Sequence, residues 1–269
     1  MNVTIPRSFG TYRVLELIER VGGAHIFLAR QTSVDRLVTL TVLPQESAQD
    51  AAFRKRFKRQ VAAASCLGHP NVVRALDAGS VAGHEYIVAE YAGGRRLSTS
   101  LEEGEWFPMR RCIGIALDIA RALEHLQSRL IVHRGVNPRA IVLSESGVAK
   151  LRGFSYSKPL GGDGSETWFE VDPFATRYMA PEQIRFDKDV DVRADIYGLG
   201  CVLYHLVTGE APNEGASKAE ILSKQVAGEP TDAGRLRADI PAALAAVLAR
   251  CLERDRKARY ATAAELVQY

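Results

Sequence analysis

Two short apolar runs, Ala140 to Leu143 and Val148 to Leu151, flank a polar break ending in Gly147. That pattern constrains the middle of the chain more than any other stretch does: it reads as a β-hairpin. A tight loop from His133 leads in, and a second loop from Arg152 to Ser155 leads out. The segment carries Arg134, Arg139, Lys150 and Arg152 but one carboxylate, Glu145. It is net positive, and Glu145 lies in the turn, one strand length or ~13 Å from Gly153.

The chain before the hairpin alternates like a sheet. Tyr12 to Leu17, Ala24 to Arg30 and Val38 to Leu43 read as strands of a twisted antiparallel sheet. Phe53, Phe57, Val61 and Ala64 fall on one helical face after a start near Ser47 and Asp50, and Gly68 stops that helix. Val72 to Ala78 and Tyr86 to Tyr91 read as two more strands, and Ala92-Gly93-Gly94 as a flexible boundary. The pattern then turns helical. Met109, Cys112, Ile113, Ala116, Leu117, Ala120, Leu123 and Leu126 recur at helical spacing. A long polar loop runs from Tyr156 to about Ala175. Arg193 to Val207 is apolar on nearly every face, as a buried helix is, and Gly209 ends it. Amphipathic helices are expected near Lys218 to Ala227 and Ala242 to Glu253.

Composition narrows the function classes. The chain is 46% hydrophobic and 25% charged, which is ordinary for a globular protein. A net charge of +3 gives no argument for nucleic acid. No apolar run approaches the ~18 residues a membrane span requires, and Met1 to Tyr12 lacks the apolar core of a secretory signal. Cys66, Cys112, Cys201 and Cys251 lack metal spacing and are expected to be reduced and buried. These readings point to a cytoplasmic protein, and the ending at Tyr269, in mid-helix by pattern, suggests a domain cut from a longer chain.

Four local patterns stand in a telling order. They are His69-Pro70-Asn71-Val72-Val73, the run Tyr178-Met179-Ala180-Pro181-Glu182-Gln183, the run Asp191 to Gly200, and Arg259. Together with the element order, they resemble the protein kinase family over nearly the whole chain, in the form found in bacterial serine/threonine kinases. The resemblance implies an α+β, two-lobed kinase fold. It has a small antiparallel-sheet N-lobe with one main helix over residues 1–91, a hinge at 92–94 and a mostly helical C-lobe over 95–269. It implies that Asp195 accepts hydrogen bonds from the backbone around His133 and Arg134, and that Glu182 and Arg259 form an ion pair. These, with Phe154, are fold-holding residues.

The family places H-R-D-x-K-P-x-N before the hairpin and D-F-G after it. His133, Arg134, Pro138 and Phe154 fit, and the chemistry-bearing positions differ. By this resemblance Gly135 stands for the base Asp, Asn137 for Lys, Ala140 for the metal-binding Asn and Gly153 for the metal-binding Asp. Thr41 stands for the phosphate-binding Lys and Gln60 for its Glu partner, and a Thr41–Gln60 hydrogen bond is expected instead. Glu19, Val21 and Ala24 take the places of the three glycines over the phosphates, with Gly22-Gly23 left for a plain hairpin turn. Thr39 and the gatekeeper Ala89 alter the adenine pocket beside the hinge residues Glu90, Tyr91 and Ala92. Ala175 replaces the Thr that supports the base. Ser165, Thr167 and Thr176 in the long loop are candidates for phosphate pairing with Arg134, though an unmodified loop is the simpler expectation.

Phosphoryl transfer needs charge neutralisation and positioning, and these substitutions remove the carboxylates and the lysine that supply them. The sequence therefore reads as a pseudokinase: not an enzyme, no magnesium, ATP binding weak or absent, and a regulatory or scaffolding role in signalling. The expected partners are other proteins, an active kinase or flanking domains of the same chain among them, with no nucleic acid and no membrane segment within this chain. The alternative is a serine/threonine kinase homologue with residual or non-standard nucleotide binding or phosphotransfer, in which Arg20, Arg30 or Arg152 replaces the lysine or nucleotide binding shifts the lobes.

Overall fold

Alternation of apolar and polar residues makes a sheet of the N-terminal part of the chain. The strands are β1 (Ser8–Phe9), β2 (Tyr12–Val21), β3 (Ala24–Gln31), β4 (Arg36–Val42), β5 (Ala75–Val81) and β6 (His84–Glu90). They pair antiparallel in the order β1-β2-β3-β4-β6-β5. In β4, Val38, Leu40 and Val42 are buried while Thr39 and Thr41 are half-buried on the other face, as the period of two demands. The buried face meets Phe9, Tyr12, Phe27, Ala29, Tyr86 and Val88 in one core. The Tyr12 hydroxyl donates to Asp77 at 2.8 Å, which ties β2 to β5. This computed structural model describes residues 6–21, 24–43, 65, 67–153, 158–159, 173–227 and 232–268. The helix expected from Phe53 to Ala64, with Gln60, Cys66 and Phe154, lies outside them.

Two strand expectations shift most. β2 runs on to Val21, past the expected end at Leu17. β5 starts at Ala75 rather than Val72 because the preceding turn uses the intervening residues. Asn71 N donates to His69 Nδ1 at 3.1 Å and Val72 N to His69 O at 3.1 Å, which closes the turn instead of extending the sheet.

The chain divides into two compact units, Met1–Ala92 and Gly93–Tyr269. The second is built on α2 (Met109–Ser128) and α5 (Val192–Thr208), preceded by β7 (Arg95–Arg96) and α1 (Leu97–Glu102). Between the two long helices lie β8 (Ile131–Val132), a 3-10 turn (Pro138–Ala140), the hairpin β9 (Ile141–Leu143) and β10 (Ala149–Leu151), β11 (Lys158–Pro159), α3 (Pro173–Thr176) and α4 (Pro181–Ile184). Ala140, read as the first strand residue, closes the 3-10 turn instead. Helices α6 (Lys218–Ala227), α7 (Ala233–Leu236), α8 (Ala242–Cys251) and α9 (Ala263–Val267) follow.

Helix α5 is buried along almost its whole length. Asp191 caps its start, with Oδ1 accepting from Arg193 N at 2.9 Å. Gly209 ends it at φ +84°, a conformation that costs glycine nothing. The buried stripe of α2 is Cys112, Ile115, Ala116, Ile119, Ala120, Ala122, Leu123 and Leu126, so Ile113 and Leu117 sit beside it rather than in it. Cys112, Cys201 and Cys251 are buried free thiols, and burial pushes the Cys251 thiol up to about 12.

Gly200 lies where α5 meets α8. A Cβ there would stand 2.6 Å from the Cβ of Cys251. Gly200→Ala is expected to cost about 1–3 kcal/mol through overpacking, measured by urea unfolding. A loss below about 0.5 kcal/mol would show that the two helices part freely.

Candidate functional site

The loop from His133 to Ala140 hangs on one buried carboxylate. Asp195, in the first turn of α5, is 1% exposed. Its Oδ2 accepts from His133 N at 2.8 Å and its Oδ1 from Arg134 N at 2.6 Å. Burial pushes this carboxyl up to about 7 against the pull of those two N–H groups. The two bonds hold Arg134 at φ +63°, a left-handed conformation that costs an L-residue about 1–2 kcal/mol.

The His133 ring locks the loop from inside. Nδ1 accepts from Gly135 N at 3.2 Å, and Nε2 lies 3.1 Å from the Arg152 carbonyl. A carbonyl only accepts, so the network assigns the ring proton to Nε2. Burial pushes the imidazole down to about 4 and keeps it neutral. Asn137 shapes the next turn: Nδ2 donates to Gly135 O at 3.0 Å and Oδ1 accepts from Arg139 N at 2.8 Å. Arg152 N donates to Ala140 O at 2.8 Å, which fixes the exit of the hairpin beside its entrance.

Gln225 and Asp118 of this unit were not singled out in the sequence, and Gln183 was named only as part of the run from Tyr178. Gln183, 3% exposed, donates from Nε2 to Arg134 O at 2.9 Å and accepts at Oε1 from Ala180 N at 3.1 Å. Gln225 donates to Thr176 O and Met179 O at 2.8 and 3.1 Å. Asp118 of α2 accepts from Ala149 N at 2.9 Å. Thr176, proposed for phosphate pairing, is buried.

Glu182 and Arg259 meet in a buried two-pronged ion pair, Nη1 to Oε1 at 2.7 Å and Nη2 to Oε2 at 2.9 Å. The positions that resemblance assigns to metal binding are also placed. Ala140 is buried, and Gly153 has φ +86° with open space where a Cβ would stand. Neither side chain carries an oxygen, and magnesium is held by oxygens. Among the described residues no group of three or more His, Cys, Asp or Glu could hold a metal ion. These residues do not fit a magnesium ion.

In the first unit, Thr41 pairs with Ile26 and Ile87, and Thr39 with Leu28 and Ala89. Their side chains share the face opposite the core of the sheet. Glu19 pairs with Ile26 and Val21 with Ala24, so these positions stay in the ladder after a register shift between Leu17 and Glu19. Glu90 ends β6, and its N donates to Arg74 O at 3.0 Å. Tyr91 is 41% exposed. The Thr41–Gln60 hydrogen bond involves a residue outside those described.

An antiparallel sheet unit followed by a helical unit, with a loop slung from a buried Asp and a buried Glu–Arg pair in the helical unit, defines the protein kinase fold. Residues 12–269 match the family model described as protein kinase domain, and the chain belongs to that family. It is 33% identical over 260 residues to the serine/threonine-protein kinase PknB of Mycolicibacterium smegmatis, covering 95% of this chain and 41% of that protein. A probable serine/threonine-protein kinase of Clostridium perfringens is 31% identical, over 95% of this chain and 37% of its own length. The crystal structure of the Mycobacterium tuberculosis PknI kinase domain superposes with a TM-score of 0.76 at 25% identity, over 97% of this chain and 95% of that one. The chain thus spans about 41% of the M. smegmatis relative. These relatives are named kinases, and that overturns the expectation that the chain is not an enzyme.

No helix among the described residues is long and apolar enough to cross a membrane.

Proposed function

We propose that this domain is a regulatory member of the serine/threonine kinase family that acts through protein contacts and handles nucleotide in a non-standard way. One observation carries the reading: Ala140 and Gly153 offer no side-chain oxygen where the family binds metal, and no metal-binding cluster of His, Cys, Asp or Glu occurs among the described residues. Thr41 likewise brings no charge to its place on β4. ATP binding is then weak and independent of magnesium. The partners are other proteins, an active kinase or flanking domains of the same chain among them, and the setting is the cytoplasm.

The test is a thermal-unfolding series with ATP in magnesium and in EDTA, run beside a labelled-ATP transfer assay under the same conditions. The expected ATP-induced shift is small and the same with and without magnesium. A shift, or a transfer of label, that depends on magnesium overturns the proposal.

A further inference from the structure

Gly135, Asn137 and Ala175 lie as much as 40 residues apart, yet all three line one cavity of about 40 Å³ in the second unit. By resemblance each stands where the family carries a longer side chain: Asp, Lys and Thr. Three shortened side chains thus leave room in one place.

The lining of this space has a definite chemistry. Arg134 is its one charged liner among the described residues, and no carboxylate lines it. Asn137 and Gln183 line it too. Each of their amide nitrogens carries two hydrogens. Each donates one in the bonds given above, Asn137 to Gly135 O and Gln183 to Arg134 O. The described lining therefore includes two amide side chains and one cationic side chain and no carboxylate, set among apolar neighbours such as Val136, Ala175 and Met179. A water-sized sphere takes about 10–15 Å³ of such space, so a cavity of about 40 Å³ has room for a group as small as a carboxylate.

We infer that this cavity is a carboxylate-binding site, filled by an acid from outside the loop where the family carries an acid within it. The occupant is a protein's acidic side chain or a small free acid; the chemistry is the same. The inference does not depend on how the chain handles nucleotide, and its test contains none.

The test measures thermal unfolding of the chain in sodium formate against sodium chloride at equal ionic strength and pH. At ten times its dissociation constant, formate should raise the midpoint by about 3 °C. Two variants read the site itself. Ala175→Leu fills the cavity and should remove the response. Gly135→Asp brings a carboxylate into the same space, and should raise the midpoint in chloride and abolish the formate response. A second arm compares acetyl-Ala-Glu-Ala-amide with its glutamine counterpart. A glutamate-specific shift larger than that of formate assigns the occupant to a protein side chain, and a formate response alone assigns it to a small acid. Absence of any carboxylate response, or a response that survives in both variants, overturns the inference.

Discussion

Glu182→Ala is expected to destabilise the second unit by about 3–5 kcal/mol, one of the two largest effects of any single substitution considered. The loss comes from what is left behind. The Arg259 side chain is fully buried. Besides Glu182, its guanidinium donates to the carbonyls of Glu253 at 2.7 Å, Arg193 at 3.0 Å and Arg254 at 3.2 Å, and it lies 4.8 Å from the centre of the Tyr197 ring. Those groups fix its position but do not neutralise it. Without Glu182 a full positive charge stays out of reach of water. The arginine also joins α4, the start of α5 and the loop after α8, so relaxation would disturb all three. The check is a double-mutant cycle by urea unfolding with Glu182→Met, Arg259→Met and the pair. The double variant should lose clearly less than the sum of the singles, because no charge is stranded. Additive losses would show that the carboxylate and guanidinium are not energetically coupled.

The readable parts of this fold are those whose pattern admits one arrangement. Helix α5 is apolar all round, capped by Asp191 and stopped by Gly209, so its expected span differs from the observed one by a residue at each end. Helix α2 was harder to place because apolar residues cover more than half its surface. Two neighbouring stripes satisfy the same spacing, and packing against α5 and α9 selects the one with Ile115 and Ile119. The short helices α3, α4 and α9 have too few turns to show a period.

At the site, the identities at positions 135, 140 and 153 were open to inspection. The cavity was not, because it depends on Ala175 arriving beside Gly135 from another segment. Gln183 was hidden for the same reason: its partner carbonyl on Arg134 is 49 residues away. Relatives named as kinases match this chain at about one-third identity, so the missing groups at Gly135, Ala140 and Gly153 do not establish a missing activity.

Asp195→Ala should rival the loss at Glu182, at about 2–6 kcal/mol, because it strands the His133 and Arg134 N–H groups at about 1–3 kcal/mol each. Arg134 would then have no carboxylate bond to hold its left-handed conformation. Asp195→Asn separates this geometry from charge. The amide oxygen still accepts one N–H, while the amide nitrogen faces the other donor.

The native chain and the Asp195→Asn variant should also differ in their response to pH. Asp195 is raised to about 7 from 3.8, so the folded state binds its proton more tightly than the unfolded chain does. Its contribution therefore falls as pH rises from about 4 to 7. His133 and His205 are lowered to about 4 from 6.5 by burial, so their contributions rise over pH 4 to 6.5. In the native chain the aspartate offsets part of the histidine effect. The Asp195→Asn substitution removes that offset, and stability should climb more steeply with pH, by up to about 1.4 kcal/mol per unit. Urea midpoints taken at half-unit steps from pH 4 to 7 would measure both slopes. Equal slopes in the two proteins would mean that Asp195 stays ionised throughout, and that the two backbone N–H groups outweigh its burial.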